Sequence, residues 1–147
     1  MTSLRTPAKA TAAGRPTYSQ TLPCEPSAAQ LGRELIREVL GVWCLDCLAD
    51  RATLITTELI ANASGHTLCS KVRLVLGRPS PTLLRIGVVD RDPSHLPALN
   101  QANADDESGR GLLLVDAVAD RWGYELKGPG KDPWGKEVWA ELRTEDA

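Results

Sequence analysis

Glu58 and Asn62 are the residues in this sequence whose types and spacing best suit chemistry. They stand four positions apart in the run TTELIANA, whose other members are mostly apolar. Positions i and i+4 of a helix share one face, with Cβ atoms about 6 Å apart, so a carboxylate and a carboxamide would project together. Polar groups on a core-forming helix are costly unless something satisfies them. A bound metal–phosphate group with Glu58 as a base would do so, and so would a buried hydrogen-bonded pair or an exposed polar stripe.

A further carboxylate stands where a strand is predicted to end. Asp90 follows LLRIGVV, and this nearly continuous apolar run is typical of a central strand. A carboxylate at that position can accept a hydrogen bond from an exocyclic amine, such as the amine of adenine. The alternative is an Asp that forms a turn as the chain leaves the sheet.

A glycine pair predicts a third polar site. Gly109, Arg110, Gly111 and Leu112 come directly before an apolar helical pattern. Backbone N–H groups at a helix start can hold phosphate oxygens, and the helix dipole favours their negative charge. A flexible hinge with a solvated Arg110 is the alternative. Residues 91–108, rich in Pro, Asn, Asp and Ser, are predicted to form a long functional or mobile loop.

The pattern of the chain predicts the elements that position these residues. Residues 1–16 are predicted to be a disordered tail and 17–147 one folded domain. The acid-free tail superficially resembles a transit peptide, but its Pro and Gly residues disfavour an amphipathic helix. The predicted elements are a strand over 17–22, helices over 27–42 and 49–64 with Gly65 as a C-cap, a hairpin from Val72 to Asp90 turning at GRPSP, a short helix after Gly111, and strands over 122–127 and 136–143. This order predicts an α+β fold: a two-layer α/β sandwich with a mixed sheet covered on one face by helices.

Composition excludes several classes of protein. A formal charge of −2 without a basic stripe gives no reason to expect a nucleic-acid partner. Apolar stretches stay well short of the roughly 20 residues that span a bilayer, so no membrane partner is expected. The four cysteines, Cys24, Cys44, Cys47 and Cys69, allow a redox CxxC motif or a zinc site. The CxxC motif follows a helical pattern and a zinc site needs two tight ligand pairs, so reduced thiols in a cytoplasmic protein are expected.

In their order along the chain, these motifs resemble the GHKL superfamily of ATPases, which includes gyrase, heat-shock chaperones and histidine kinases. The match is carried by ELIANASGH as the N box, VVDRDPSHLP as the G1 box and ESGRGLLLVDAVADRWG as the G2 box. The closing GKEVWAEL is similar to the last strand of the small bacterial anti-sigma-factor serine kinases. The resemblance covers about residues 17–143 and implies the histidine kinase-like ATPase fold.

The resemblance also implies a role for each motif residue. Asn62 would ligate Mg²⁺ through its amide oxygen, and Glu58 would be the general base that activates a serine hydroxyl or a water. Asp90 would bind the adenine amine, and 91–108 would form the lid. The nucleotide-binding set would be completed by Gly109, Arg110, Gly111 and Leu112. Asp92 stands where the superfamily has a glycine.

The activity implied is that of an ATP-binding regulatory protein of the anti-sigma serine/threonine kinase type. Such a protein transfers the γ-phosphate of ATP to a serine of a protein antagonist in the cytoplasm. A sigma factor, an anti-anti-sigma protein antagonist or both would be the partner. The resemblance also makes a homodimer possible, with the first strand and helix as its interface. The alternative is a catalytically inactive ATP-binding module that regulates a partner through nucleotide-dependent ordering of the lid.

Overall fold

The computed structural model describes residues 9–10, 16–66, 71–97 and 107–144. The protein is a mixed α+β domain, compatible with an α/β sandwich. Its elements are β1 (Lys9–Ala10), β2 (Pro16–Pro23), α1 (Ala28–Trp43), a short 3₁₀ turn (Asp46–Leu48), α2 (Ala49–His66), β3 (Lys71–Ser80), β4 (Leu83–Asp90), α3 (Glu107–Val118), β5 (Arg121–Lys127) and β6 (Gly135–Arg143).

The described strands form one open sheet in the order β1-β2-β3-β4-β6-β5, and every neighbouring pair is antiparallel. The prediction of a mixed sheet is therefore wrong. The chain from β4 through α3 to β5 does bring β5 back in the direction of β4. However, β6 lies between them and runs opposite to both. The two strands of like direction never pair, and that choice of neighbour is not visible in the order of elements.

The helices cover one face of the sheet. α1 packs on β2 and on α2, α2 lies over β3, β4 and β6, and α3 packs on α2 and β5. Alternate side chains of β3 and β4 point into this layer and are buried: Val72, Leu74, Leu76, Leu84, Ile86 and Val88. Each fully buried aliphatic side chain contributes about 1.5–3 kcal/mol of transfer free energy. This one-sided core makes α2, the helix of Glu58 and Asn62, the middle of the helical layer.

Close packing of α1 on α2 depends on Gly32. A Cβ at this position would lie 2.5 Å from Ile60 Cδ1 and 3.1 Å from Thr56 Cγ2. The absent side chain therefore lets the two helix backbones approach each other. Both helices agree with their predicted ranges to within two residues.

The ends of α2 and of β3 differ from the predictions. Gly65 lies inside α2 and is not its C-cap. β3 continues through most of the predicted GRPSP turn to Ser80, with a register irregularity after Gly77, and the chain reverses at Pro81 and Thr82. A strand can absorb this Gly- and Pro-containing stretch because irregular pairing leaves backbone groups without ladder partners.

Several predictions fall on residues outside the described ranges. Most of the predicted tail does so (1–8 and 11–15), while Lys9–Ala10 pair with Thr17 and Pro16. The same holds for part of the predicted lid, 98–106, and for Cys69. Among the described helices, none combines the length and apolarity that crossing a membrane requires.

Candidate functional site

The end of β4 is where the elements carrying the predicted site residues meet. Asp90, the last residue of β4, pairs with Lys136 near the start of β6. α3 leads into β5, whose first residue, Arg121, pairs with Glu141 near the opposite end of β6. α3 therefore finishes far from Asp90. Its 12 residues, about 18 Å of helix, carry its first turn back towards the Asp90 end.

α2 finishes at the same end. His66, its last residue, precedes the start of β3 by only five positions. Arg73 of β3 pairs with Val89, the neighbour of Asp90. Asn62 lies in the last turns of α2, so the structure brings Asn62, Asp90 and the start of α3 to one end of the domain.

Asn62 lies on the flank of α2 that faces away from α1. Thr57 marks the α1 side, because its hydroxyl accepts a hydrogen bond of 3.1 Å from Arg33 Nη1. At about 100° per residue, Asn62 lies roughly 140° around the helix from Thr57. This is the side on which α3 packs against α2. Asn62 is buried, and Glu58, one turn earlier, is half-buried.

Glu58 and Asn62 have no polar contact of their own within the described part of the chain. Neither side chain forms a hydrogen bond or an ion pair there. Within the described residues, Glu58 and Asn62 therefore do not form the buried hydrogen-bonded pair that was one alternative. A buried carboxamide that has no partner among the described residues can bind an added ligand through its oxygen and its N–H groups.

Asp90, in contrast, is already engaged by a residue that the sequence analysis missed. Lys136 Nζ donates to Asp90 Oδ1 at 3.0 Å and to Oδ2 at 2.9 Å, and both side chains are almost fully buried. The ammonium also donates to the backbone carbonyl of Asp92 at 2.6 Å. Lys136 thus ties the end of β4 and the turn after it to β6. The sequence did carry an indication of this role. Lys136 alternates with Val138, Ala140 and Leu142, so it lies on the same inward-facing side of the strand as these apolar residues.

Asp92, the second carboxylate of the predicted G1 box, forms its hydrogen bonds within the turn after β4. Asp92 N–H donates to Asp90 Oδ1 at 2.7 Å. The Asp92 carboxylate accepts hydrogen bonds from the Ser94 hydroxyl at 2.6 Å and the Ser94 N–H at 3.2 Å, and it contacts His95 Nδ1 at 2.5 Å. These contacts, the Ser94 hydroxyl above all, lower the pKa of Asp92 from 3.8 to about 2. The negative charge of Asp92 is therefore bound within its own turn.

The glycine motif lies inside α3 and not before it. The helix begins at Glu107, so Gly109 and Arg110 belong to its first turn and Gly111 follows them. The first four N–H groups of a helix have no acceptor within it, and that of Gly109 is among them, whereas Arg110 lies one position too far along the helix. Leu112 is buried, and its N–H lies beyond that first turn.

The described residues include no group of three or more His, Cys, Asp or Glu side chains placed to hold a metal ion. Cys44 and Cys47 are exposed free thiols. A Mg²⁺ ion beside Asn62 would have the Asn62 amide oxygen as its protein ligand. Such a set fits Mg²⁺, which keeps several waters and commonly takes its remaining ligands from substrate phosphates.

The sequence is similar to that of a bacterial protein. No protein-family model matches the sequence. An uncharacterized protein of Streptomyces coelicolor is 36% identical over 99 residues, which cover 64% of this chain and 78% of the relative. At this identity and coverage, the chain belongs to the same family as the uncharacterized Streptomyces coelicolor protein.

Proposed function

We propose that this protein binds Mg·ATP at the end of the domain where Asn62, Asp90 and the start of α3 meet, and that it phosphorylates a serine of a partner protein. The proposal includes the histidine kinase-like ATPase fold and the role of an anti-sigma-factor kinase, with a sigma factor or its antagonist as partner. The observation that carries it is the convergence of these three groups from separate elements on one end of the sandwich. Each suits a different part of the nucleotide.

Each group would bind the nucleotide through chemistry that its surroundings leave available. The Asn62 amide oxygen would ligate Mg²⁺, and the free N–H group of Gly109 at the start of α3 would bind a phosphate oxygen. Asp90 Oδ1 already accepts two hydrogen bonds, whereas Oδ2 accepts one, from Lys136. A carboxylate oxygen has two lone pairs, so Oδ2 retains capacity for the adenine amine.

Glu58 would supply the base for phosphoryl transfer. The serine Oγ of the partner would attack the γ-phosphorus while the bond to the β-phosphate oxygen breaks and ADP leaves. The serine proton would pass to the Glu58 carboxylate. Glu58 lies one helical turn before Asn62 and is half-buried, a position from which it can reach both solvent and a group held by Asn62.

A second candidate is a non-catalytic ATP-binding module that alters the binding of a partner protein. The Asp90–Lys136 pair favours it, because the carboxylate assigned to adenine also ties β4 to β6. Nucleotide binding would then act on the position of the turn after β4. This candidate shares the ATP site and omits the role of Glu58.

Calorimetric titration with Mg·ATP tests both candidates. Asn62→Ala is expected to weaken Mg-dependent binding at least about tenfold, the loss of one charge-assisted contact. Glu58→Ala is expected to bind ATP normally but to lose phosphate transfer, measured as ADP release in the presence of a candidate antagonist protein. Gln30→Ala, at an exposed position of α1, is the control.

The outcomes separate the candidates. Absence of binding by the unaltered protein at millimolar Mg·ATP would eliminate both. Binding that survives Asn62→Ala unchanged would place the nucleotide elsewhere. Binding without transfer to any antagonist would leave the non-catalytic module.

A further inference from the structure

A cavity of about 530 Å³ lies at the helix-free face of the sheet, near the end of β4. Arg73 pairs with Thr21 of β2 and with Val89 of β4, so these three side chains form one row across the strands. Val72 is buried under the helices, and adjacent strand residues point to opposite faces, so the row of Arg73 points away from them. The residues that line the cavity include Thr21, Lys71, Arg73, Val89, Arg91 and Trp134.

Among the described residues, the cations of this cavity have no carboxylate partner, whereas other cations of the same face do. Arg85, Arg121 and Lys127 each form an ion pair with a glutamate of β5 or β6. Within the described residues, Lys71 and Arg91 form no ion pair, and Arg73 donates to the neutral hydroxyl of Ser19 at 2.9 Å.

The acidic residue of the cavity does not offset these charges. Asp90 also lines it, but the Asp90 carboxylate is neutralised by Lys136. Three positive charges therefore surround one concave volume, and such a cavity concentrates anions.

Trp134 gives the same cavity an apolar wall. The residue is 51% exposed, and the Arg91 guanidinium carbon lies 6.0 Å from the centre of its ring. An exposed indole can stack on a flat ring, with the neighbouring cation adding an electrostatic attraction. The cavity volume falls in the range of about 300–1,000 Å³ that is usual for small-molecule sites.

We propose that this cavity binds a small aromatic anion. A planar ring would stack on Trp134, and a phosphate or carboxylate group attached to it would contact Lys71, Arg73 and Arg91. The cationic row of this site lies on the opposite face of the sheet from Asn62, the site shares Asp90 with the proposed nucleotide site, and the proposal does not rest on the kinase activity.

Phenyl phosphate is the probe for this site, titrated by calorimetry beside inorganic phosphate and phenol. Binding of phenyl phosphate is expected to be tighter than that of either fragment. Lys71→Gln and Arg73→Gln are each expected to weaken it roughly tenfold, since each removes one charge-assisted contact. Trp134→Ala is expected to reduce the affinity to that of inorganic phosphate. Arg37→Gln, which removes an exposed cation from α1, is the matched control and is expected to bind normally.

Nucleotides are also aromatic anions, so the variants must assign each binding event. Asn62→Ala is expected to leave phenyl phosphate binding unchanged, and Lys71→Gln to leave Mg·ATP binding unchanged. Because Lys71 is exposed, its substitution is not expected to disturb folding.

Three results would overturn the proposal. They are failure of phenyl phosphate to bind at millimolar concentration, binding that Lys71→Gln and Arg73→Gln leave intact, and binding of inorganic phosphate as tight as that of phenyl phosphate. Binding of a glutamate-rich peptide without binding of phenyl phosphate would identify a docking surface for acidic protein segments instead.

Discussion

The two halves of the proposed nucleotide site differ in how far the protein itself satisfies their polar groups. On the sheet side, the Asp90 carboxylate and the Lys136 ammonium are buried and bonded to each other. On the helix side, Asn62 is also buried, yet within the described residues it has no polar partner. The sheet side therefore contributes to folding whether or not a ligand binds. On the helix side, the Asn62 carboxamide can hydrogen-bond to a ligand.

This difference follows from the cost of burying charge. Removing two ions from water costs several kcal/mol for each ion, and this cost is recovered only when they pair with good geometry. A buried carboxamide carries no net charge and costs less. Leaving Asn62 without a partner among the described residues therefore costs far less than leaving Asp90 without one.

The largest expected effect comes from breaking the buried pair. Lys136→Met should lower the free energy of unfolding by about 3–5 kcal/mol, because Asp90 would remain buried without a counter-charge. Denaturant unfolding followed by circular dichroism measures this change. Lys131→Met, at an exposed position in the link between β5 and β6, is the control and should change stability by less than about 0.5 kcal/mol.

A double variant sharpens the same comparison. Lys136→Met combined with Asp90→Asn removes both charges, so it should be more stable than Lys136→Met alone. If the double variant were the less stable of the two, the lysine would act through its bond to the Asp92 carbonyl and not through Asp90.

A smaller effect, which is lost in acid, is expected at Asp92. Its pKa in the folded protein is about 2, against an ordinary 3.8. The ionised carboxylate therefore stabilises the fold above pH 3.8, and this contribution is lost as the pH falls towards 2. Asp92→Asn should lower stability at neutral pH, and its deficit relative to the unaltered protein should shrink between pH 4 and about 2.

Unfolding measured across this pH range tests the prediction for Asp92. Asp132→Asn, an exposed acid in the link before β6, should show no such convergence. A deficit for Asp92→Asn that stays constant down to pH 2 would mean that its ionisation contributes nothing to the turn.

The smallest expected effect on stability is on the helix side. Asn62→Ala should change the free energy of unfolding by no more than about 1 kcal/mol, because no described hydrogen bond is lost. The same variant should have the largest effect on Mg·ATP affinity. A loss of stability as large as that of Lys136→Met would show that Asn62 serves the fold, and it would remove the contrast between the two halves.

Much of the secondary structure could be predicted from the sequence because it depends on local patterns. Apolar residues at helical spacing placed α1 and α2 to within two residues, and alternation placed the later strands. The same pattern placed Glu58 and Asn62 on neighbouring turns of one helix. The extent of β3 beyond Gly77 could not be predicted, because local turn signals were outweighed by pairing with β4.

What the sequence determined by itself is which residues share a helical turn or end a strand, since backbone periodicity acts over a few residues. Only the tertiary structure decided which strands are neighbours, because β6 enters between two strands of like direction. That same insertion brought Lys136 to Asp90 across 46 positions of sequence. Asp90, the predicted adenine ligand, therefore also forms the buried ion pair of the fold. Two buried charges must lie in contact to recover the cost of leaving water, and their separation along the chain does not reveal that contact.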